Sequence, residues 1–421
     1  MKRLMILLFA AAATVSCEIL DDDPGKHTSG SDSSYVELSE VAHILASLPL
    51  ELIHVEEVYE ATSGSLNNGY DEEYTMKNLF AAPGCGVGEQ ESSYTKAFRS
   101  GNASQDVPLL RDLIKEHLMS VKSGAVNSAL NDVRSTKPDL NPEVFLDALS
   151  DSDVQIYWPF SENWDGESLP IVTFDPEDGS DANIGYRLLV GDDGTRSVEE
   201  VIVDEAMAEK ESVWVVNRNS DAEYTTLEML RRQDPSWGEG GGTIIVKPRV
   251  GAASLTKATD DASMQTLVLK DFTMHRNQDA WFCGGSEFFV KTGSLDDFTA
   301  STEAELRLFN PLVTDFLIVV KRSQVGKPQP FNAILIPEWN QQMTHCAFMI
   351  TEDDGGTITE WKCTALVRVE SKSYGVELNL PFNSRDDIIW RGHLTSRWIE
   401  ANNRVPSNFG DVSLTFELVE Y

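Results

Sequence analysis

The sequence predicts an α+β protein, a mixed α/β-containing first half followed by an all-β sandwich. Three observations carry that reading. Apolar residues recur every three to four positions between about residues 38 and 149, they alternate every second position from Val154 onward, and strand-like runs follow one another at even spacing from 263 to 421. At 421 residues the chain is too long for one ordinary core, so two or three domains are expected.

The helical pattern begins with Leu38, Val41, Ile44, Leu45 and Leu48, and Pro49 interrupts it before Ile53 and Val55, so a helix or helix pair is predicted there. Leu109, Leu110, Leu113, Ile114 and Leu118 predict a second helical stretch over 107–119. Asn141 as N-cap and Pro142 at the first helical position open another, with Val144, Phe145, Ala148 and Leu149 on its buried side.

Val154, Ile156 and Trp158 then change the period to two. Strands are predicted over Pro170–Phe174, Arg187–Val190, Glu200–Val203 and Ser212–Val216, with Asp192-Asp193-Gly194 as a hairpin tip. Thr226 to Arg232 reads as a short helix, and Gly238 to Gly242 as a junction. The small, polar stretch Ala252–Ala262 places a domain boundary between about 235 and 263. The mixed region therefore spans 35–240, with helices to about 152 and short strands after, and the sandwich spans 263–421. Its strand candidates centre on Leu267, Phe288, Phe316, Ala333, Ala347, Leu366 and Leu378. The clearest strand is the last, where Val412, Leu414, Phe416 and Leu418 face a core and Ser413, Thr415 and Glu417 face solvent.

Cysteine usage points to an oxidising compartment. With Cys17 set aside, Cys85, Cys283, Cys346 and Cys363 remain. An Asp354-Gly355 two-residue turn would pair the chain outward so that Cys346 faces Cys363 across a non-hydrogen-bonded position, at a separation a disulfide tolerates. By elimination Cys85 and Cys283 could join the two halves, although four cysteines allow three connectivities and the sequence does not choose among them.

Most familiar chemistries lack a signature. His345 and Cys346 are adjacent, and neighbours on a strand point to opposite faces, so they do not make a nucleophile and base. No H-E-x-x-H pattern, P-loop or dinucleotide fingerprint occurs, and the glycines at 238–242 lack the lysine and helix a phosphate loop needs. No catalytic residue is assigned. Acid–base glycosidase chemistry needs two carboxylates at a set distance, and 68 acidic residues hide any such pair. The formal net charge of −34, with no cluster of Lys and Arg, argues against nucleic-acid binding.

Residues 1–17, MKRLMILLFAAAATVSC, place two cations before a short apolar run and small residues before a cysteine. The run is too short to span a bilayer, which takes about 20 apolar residues. The segment resembles the signal peptide of bacterial lipoproteins, although Thr14 stands where that family prefers Leu. The resemblance implies cleavage after residue 16, acylation of Cys17 and tethering to a membrane by two or three chains. Residues 17–34, acidic and rich in Gly, Ser and Asp, read as a flexible stalk. Their Asp21-Asp22-Asp23 cluster resembles the export signal of surface-exposed Gram-negative lipoproteins, which implies an outer-membrane, cell-surface location.

Two patterns in the body of the chain bear on ligands. Asp271, Asp279 and Glu287 around a predicted strand–loop–strand, with Glu352-Asp353-Asp354 later, resemble the opening of a C2-type sandwich. That resemblance implies a calcium ion held by Asp279, Glu287, Glu352 and Asp354; the alternative is ordinary turn acids. Tryptophans beside turn residues, as in Asn163-Trp164-Asp165-Gly166 and Asp279-Ala280-Trp281, fit a surface that stacks sugar rings. The expectation is a lipid-anchored, non-catalytic binding module for a glycan or for a host or partner protein. The alternative is an extracellular hydrolase using paired carboxylates.

Overall fold

The computed structural model describes residues 36–67, 69–81, 109–122, 141–191, 195–219, 265–295, 300–354 and 356–420. The leader, the stalk with Cys17, Cys85, the turn at 192–194, the segment 226–232 and the glycines at 238–242 lie outside them.

The described chain opens with α1 (Leu38–Ser47) and α2 (Leu52–Asn67), the break between them falling at Pro49, whose neighbours Leu48 and Leu50 are both buried. A short strand, β1 (Glu73–Thr75), leads into α3 (Met76–Phe80), where the Thr75 hydroxyl accepts the Asn78 N–H at 3.2 Å. Helices α4 (Leu110–Lys122) and α5 (Pro142–Ser150) follow, and Asn141 caps α5 as its sequence predicts, accepting from the Glu143 N–H.

Strands β2 (Val154–Tyr157), β3 (Ile171–Phe174), β4 (Ala182–Val190), β5 (Arg196–Asp204) and, after the helical turn α6 (Glu205–Ala208), β6 (Val213–Arg218) complete a six-stranded sheet. Its order is β1-β2-β6-β3-β4-β5, antiparallel except between β3 and β6. The helices cover one face, where Val41, Leu45, Phe145 and Leu149 pack on Trp158 and Trp214. On the other face Tyr157, Ile171, Val213 and Val215 pack against Trp281 and Phe282, which come from the second half of the chain.

That second half contains β7 (Gln265–Met274), β8 (Ser286–Leu295), α7 (Glu303–Leu306), β9 (Pro311–Val320), β10 (Gln329–Trp339), β11 (Met343–Glu352), β12 (Ile358–Val369), β13 (Lys372–Asn383), β14 (Asp387–Thr395), α8 (Ser396–Ala401), β15 (Ser407–Phe409) and β16 (Val412–Glu420). One sheet runs β10-β7-β16-β15; the other runs β13-β12-β11-β8-β9, with β14 also paired to β11. The expected sandwich is present. Its core joins Phe272, Phe288, Phe348 and Phe416 with aliphatic side chains of both sheets, and burying each such ring contributes about 1.5–3 kcal/mol.

The β12–β13 ribbon folds over the outer face of the second sheet and makes a small core of its own from Ala347, Met349, Cys363, Ala365, Leu378 and Leu380. Strand β8 is consequently buried on both faces. The expected Asp354-Gly355 hairpin fails for the same reason. Strand β14 takes the place beside β11, pairing Cys346 with Leu394, while β12 meets β11 only at Met343 and His345 and pairs Cys363 with Leu378. Cys346 and Cys363 are therefore free thiols and not a disulfide. Cys283 is disulfide-bonded.

Strand β16 departs from the half-exposed pattern expected of it. Ser413, Thr415 and Glu417 are buried. Polar partners account for it: Ser413 bonds His275 at 2.6 Å and Asn408 at 2.6 Å, and Glu417 is paired with Lys270 and Arg404.

Candidate metal centre

Three of the four acids expected to share a cation come together. Asp279 lies on the loop from β7 to β8, Glu352 ends β11, and Asp354 follows two residues later; one ligand oxygen from each lies within 4.8 Å of the others. Antiparallel pairing puts them there, because Glu352 sits opposite Phe288 near the start of β8, where the Asp279 loop arrives. Oxygens bound to one calcium at about 2.4 Å can be no more than about 4.8 Å apart, so this spread fits a shared ion. Glu287 is the exception. Its backbone carbonyl accepts the Asp353 N–H at 2.9 Å, and its side chain stands outside the group of three.

The electrostatics are those of a site short of positive charge. Glu352 is 1% exposed, and neither its Oε1 nor Asp279 Oδ2 has a hydrogen-bond partner. Burial, followed by Asp279 itself, lifts the Glu352 carboxyl far above the usual carboxylate range, and burial raises Asp279 as well. Asp354 is pushed up to about 7 by partial burial and by the charges of Asp279 and Asp387. Two desolvated carboxylates facing each other without a donor must hold a proton between them or share a cation.

The sequence reading missed the second acidic layer. Asp386, just before β14, is raised to about 6, first by burial, and leaves Oδ1 unpartnered. Its other oxygen accepts the Asn383 N–H, and the Asn383 amide also donates to Asp353 Oδ1, each at 2.9 Å. The Asp386-Asp387 doublet was the available signal, but only the pairing of β14 with β11 brings it beside Asp353-Asp354.

The β7–β8 loop that carries Asp279 also joins the two halves. Trp281, expected at a sugar-stacking surface, is 3% exposed, stacks on Phe282 and donates its indole N–H to the Asp181 carbonyl at 2.9 Å. Asn217 holds the carbonyls of Phe282 and Cys283 at 2.9 and 3.0 Å. Asp71 Oδ2 accepts the Gly285 N–H at 2.7 Å, and Gly284 beside it adopts a left-handed φ of +135° where a Cβ would strike that carboxylate. Around this point Lys321 bridges Glu72 and Glu162, both at 3.0 Å, and Arg322 bonds Glu205 at 2.6 Å and the carbonyls of Asp279 and Gly284.

His345 and Cys346 make no nucleophilic pair. Cys346 is fully buried, and burial pushes its thiol up to about 12. His345 turns instead to the ring of His393. Among the described residues no helix is long and apolar enough to cross a membrane. Comparison with known protein families, curated proteins and solved structures finds no match to the chain.

Proposed function

We propose that the chain is a lipid-anchored, surface-located binding protein whose carboxy-terminal sandwich is completed by a calcium ion. The observation that carries the calcium reading is the convergence of Asp279, Glu352 and Asp354 with two carboxylate oxygens left without a donor. Hard oxygen ligands and no sulfur or imidazole in the group favour calcium over a transition metal. The anchor and the outer-membrane location rest on residues 1–34, read as a lipoprotein leader and acidic stalk.

An acid–base hydrolase is the second reading, because a proton shared by Asp279 and Glu352 is what such chemistry would use. Against it, Glu352 is 1% exposed, whereas an acid that protonates a substrate must reach it. The test is calorimetric titration of the purified full chain with calcium and with magnesium, repeated on Asp279→Asn. The proposal expects calcium binding that Asp279→Asn weakens at least tenfold. Absence of heat with calcium, together with turnover of a glycoside or ester panel that Asp279→Asn abolishes, would move the assignment to hydrolysis. Intact mass of the native protein tests the anchor, which requires acyl mass on Cys17.

A further inference from the structure

A second site lies on the first sheet, away from the acidic centre. A cavity of about 230 Å³ opens between the turn after β2 and the turn before β6. Phe160, Asn163 and Trp164 line one side, and Lys210, Glu211 and Ser212 line the other. Drug-sized pockets run about 300–1,000 Å³, so this volume suits a single ring.

The aromatic wall is set in advance. Trp164 donates its indole N–H to the Ser168 carbonyl at 3.0 Å and packs beside Tyr59 and Trp158, with ring centroids 5.3 and 5.5 Å away. Asp165 fastens the same loop by accepting the Glu167 and Ser168 N–H groups at 2.9 and 2.8 Å. Phe160, which also borders the cavity, takes a left-handed backbone, φ 57°, that a bulky residue adopts at a cost. Such strain persists where the surroundings enforce it, and here the Phe160 ring is held in the core with Tyr157, Val213 and Phe282 while its residue borders the cavity.

The opposite wall is polar and not fully satisfied. Ser212 is 9% exposed and its Oγ has no hydrogen-bond partner. Arg187 holds the Glu211 carboxylate from 2.8 Å, whereas the exposed Lys210 makes no ion pair among the described residues. An ammonium and a carboxylate thus stand across the cavity from a carboxamide and the Trp164 indole. Sugar hydroxyls donate and accept at once, and the C–H face of a pyranose stacks on an indole, so this combination suits neither a purely apolar nor a strongly anionic ligand. The net charge of −34 further disfavours anions.

We propose that this cavity binds one neutral sugar residue, free or within a glycan. The proposal supplies a ligand for the binding role above and is independent of calcium. It is tested by saturation-transfer NMR on the full chain with methyl glycosides of glucose, galactose, mannose and N-acetylglucosamine, in calcium and in chelator. Millimolar binding of at least one glycoside is expected in both conditions. Trp164→Ala should weaken it by about tenfold, the loss of a stacking contact, and Trp164→Phe should retain part. Lys210→Met, at an exposed position with no ion pair among the described residues, should also weaken it several-fold. Binding unchanged in Trp164→Ala and Lys210→Met, or no transfer to any glycoside, would overturn the proposal. Sugar binding in chelator, together with a calorimetric calcium titration that gives no heat, would refute the metal reading and leave this one standing.

Discussion

Replacing Glu352 with Gln should have opposite effects in chelator and in calcium. In chelator the wild-type protein must take up a proton from neutral solution to bury Glu352, which is 1% exposed and whose Oε1 meets no donor. An amide of the same shape needs no such proton and can donate to Asp279 Oδ2, also unpartnered. Relief of an unmet buried polar group gains about 1–3 kcal/mol, so the variant should melt at or above the wild type. In calcium the order reverses. Extracellular calcium modules bind with Kd of about 10⁻⁴–10⁻³ M, and ligand at one hundred times Kd stabilises by about 2.7 kcal/mol. For a unit the size of this sandwich that is about 5–11 °C in Tm. Glu352→Gln, left with two carboxylates, should gain less than about 2 °C under the same conditions. Differential scanning calorimetry near neutral pH, in chelator and in excess calcium, reads all four values. A variant that melts several degrees below wild type in chelator, with an undiminished calcium shift, would refute the reasoning, since the carboxylate would then be an ordinary structural acceptor.

Calcium affinity should also fall in acid: the proton held by Glu352 and Asp279 and that of Asp354, raised to about 7, must both leave on binding, so the apparent constant weakens by at least about tenfold for each pH unit below that value; calcium titrations at pH 8 and pH 5 measure it. Glu57 gives a separate pH effect. It is buried between the Leu110 N–H at 2.8 Å and the Tyr74 hydroxyl at 3.4 Å, and burial raises it to about 7. Its contribution is fully present below the ordinary carboxylate pKa and is lost as pH rises through about 7, a loss of about 3 kcal/mol at 1.36 kcal/mol per unit; urea unfolding should show this decline between pH 5 and 8 in the wild type and its absence in Glu57→Gln. Lys321→Met, which strands buried Glu72, should cost about 3–5 kcal/mol, and adding Glu72→Gln should recover part of it. Cys346 and Cys363 should resist alkylation in the native protein and react after unfolding, as peptide-level mass spectrometry would show; a bridged peptide would contradict the pairing of β14 with β11.

The elements legible from sequence were those fixed by local rules. The Asn141-Pro142 start of α5 and the helical faces of Leu38–Leu48 and Leu109–Leu118 need only capping and periodicity. The Asp279, Glu352 and Asp354 grouping was legible through one local resemblance. What escaped depended on which distant strand wins an edge. Asp354-Gly355 favours a tight hairpin, yet residues 387–395 pair with β11 and displace β12, so the thiol pairing fails and Asp386 enters the acidic layer. Trp281 was misassigned on similar grounds: polar neighbours in sequence gave no hint that a different sheet, built from residues 73–218, would receive its ring.

That ring also bears on any attempt to take the molecule apart. A cut in the segment 220–264 would strip Trp281 and Phe282 from Tyr157, Ile171, Val213 and Val215, leaving a greasy wound on each piece. Excised halves should stick to one another or to themselves, so loss of activity in a truncated fragment would report on that torn seam before it reported on any ligand.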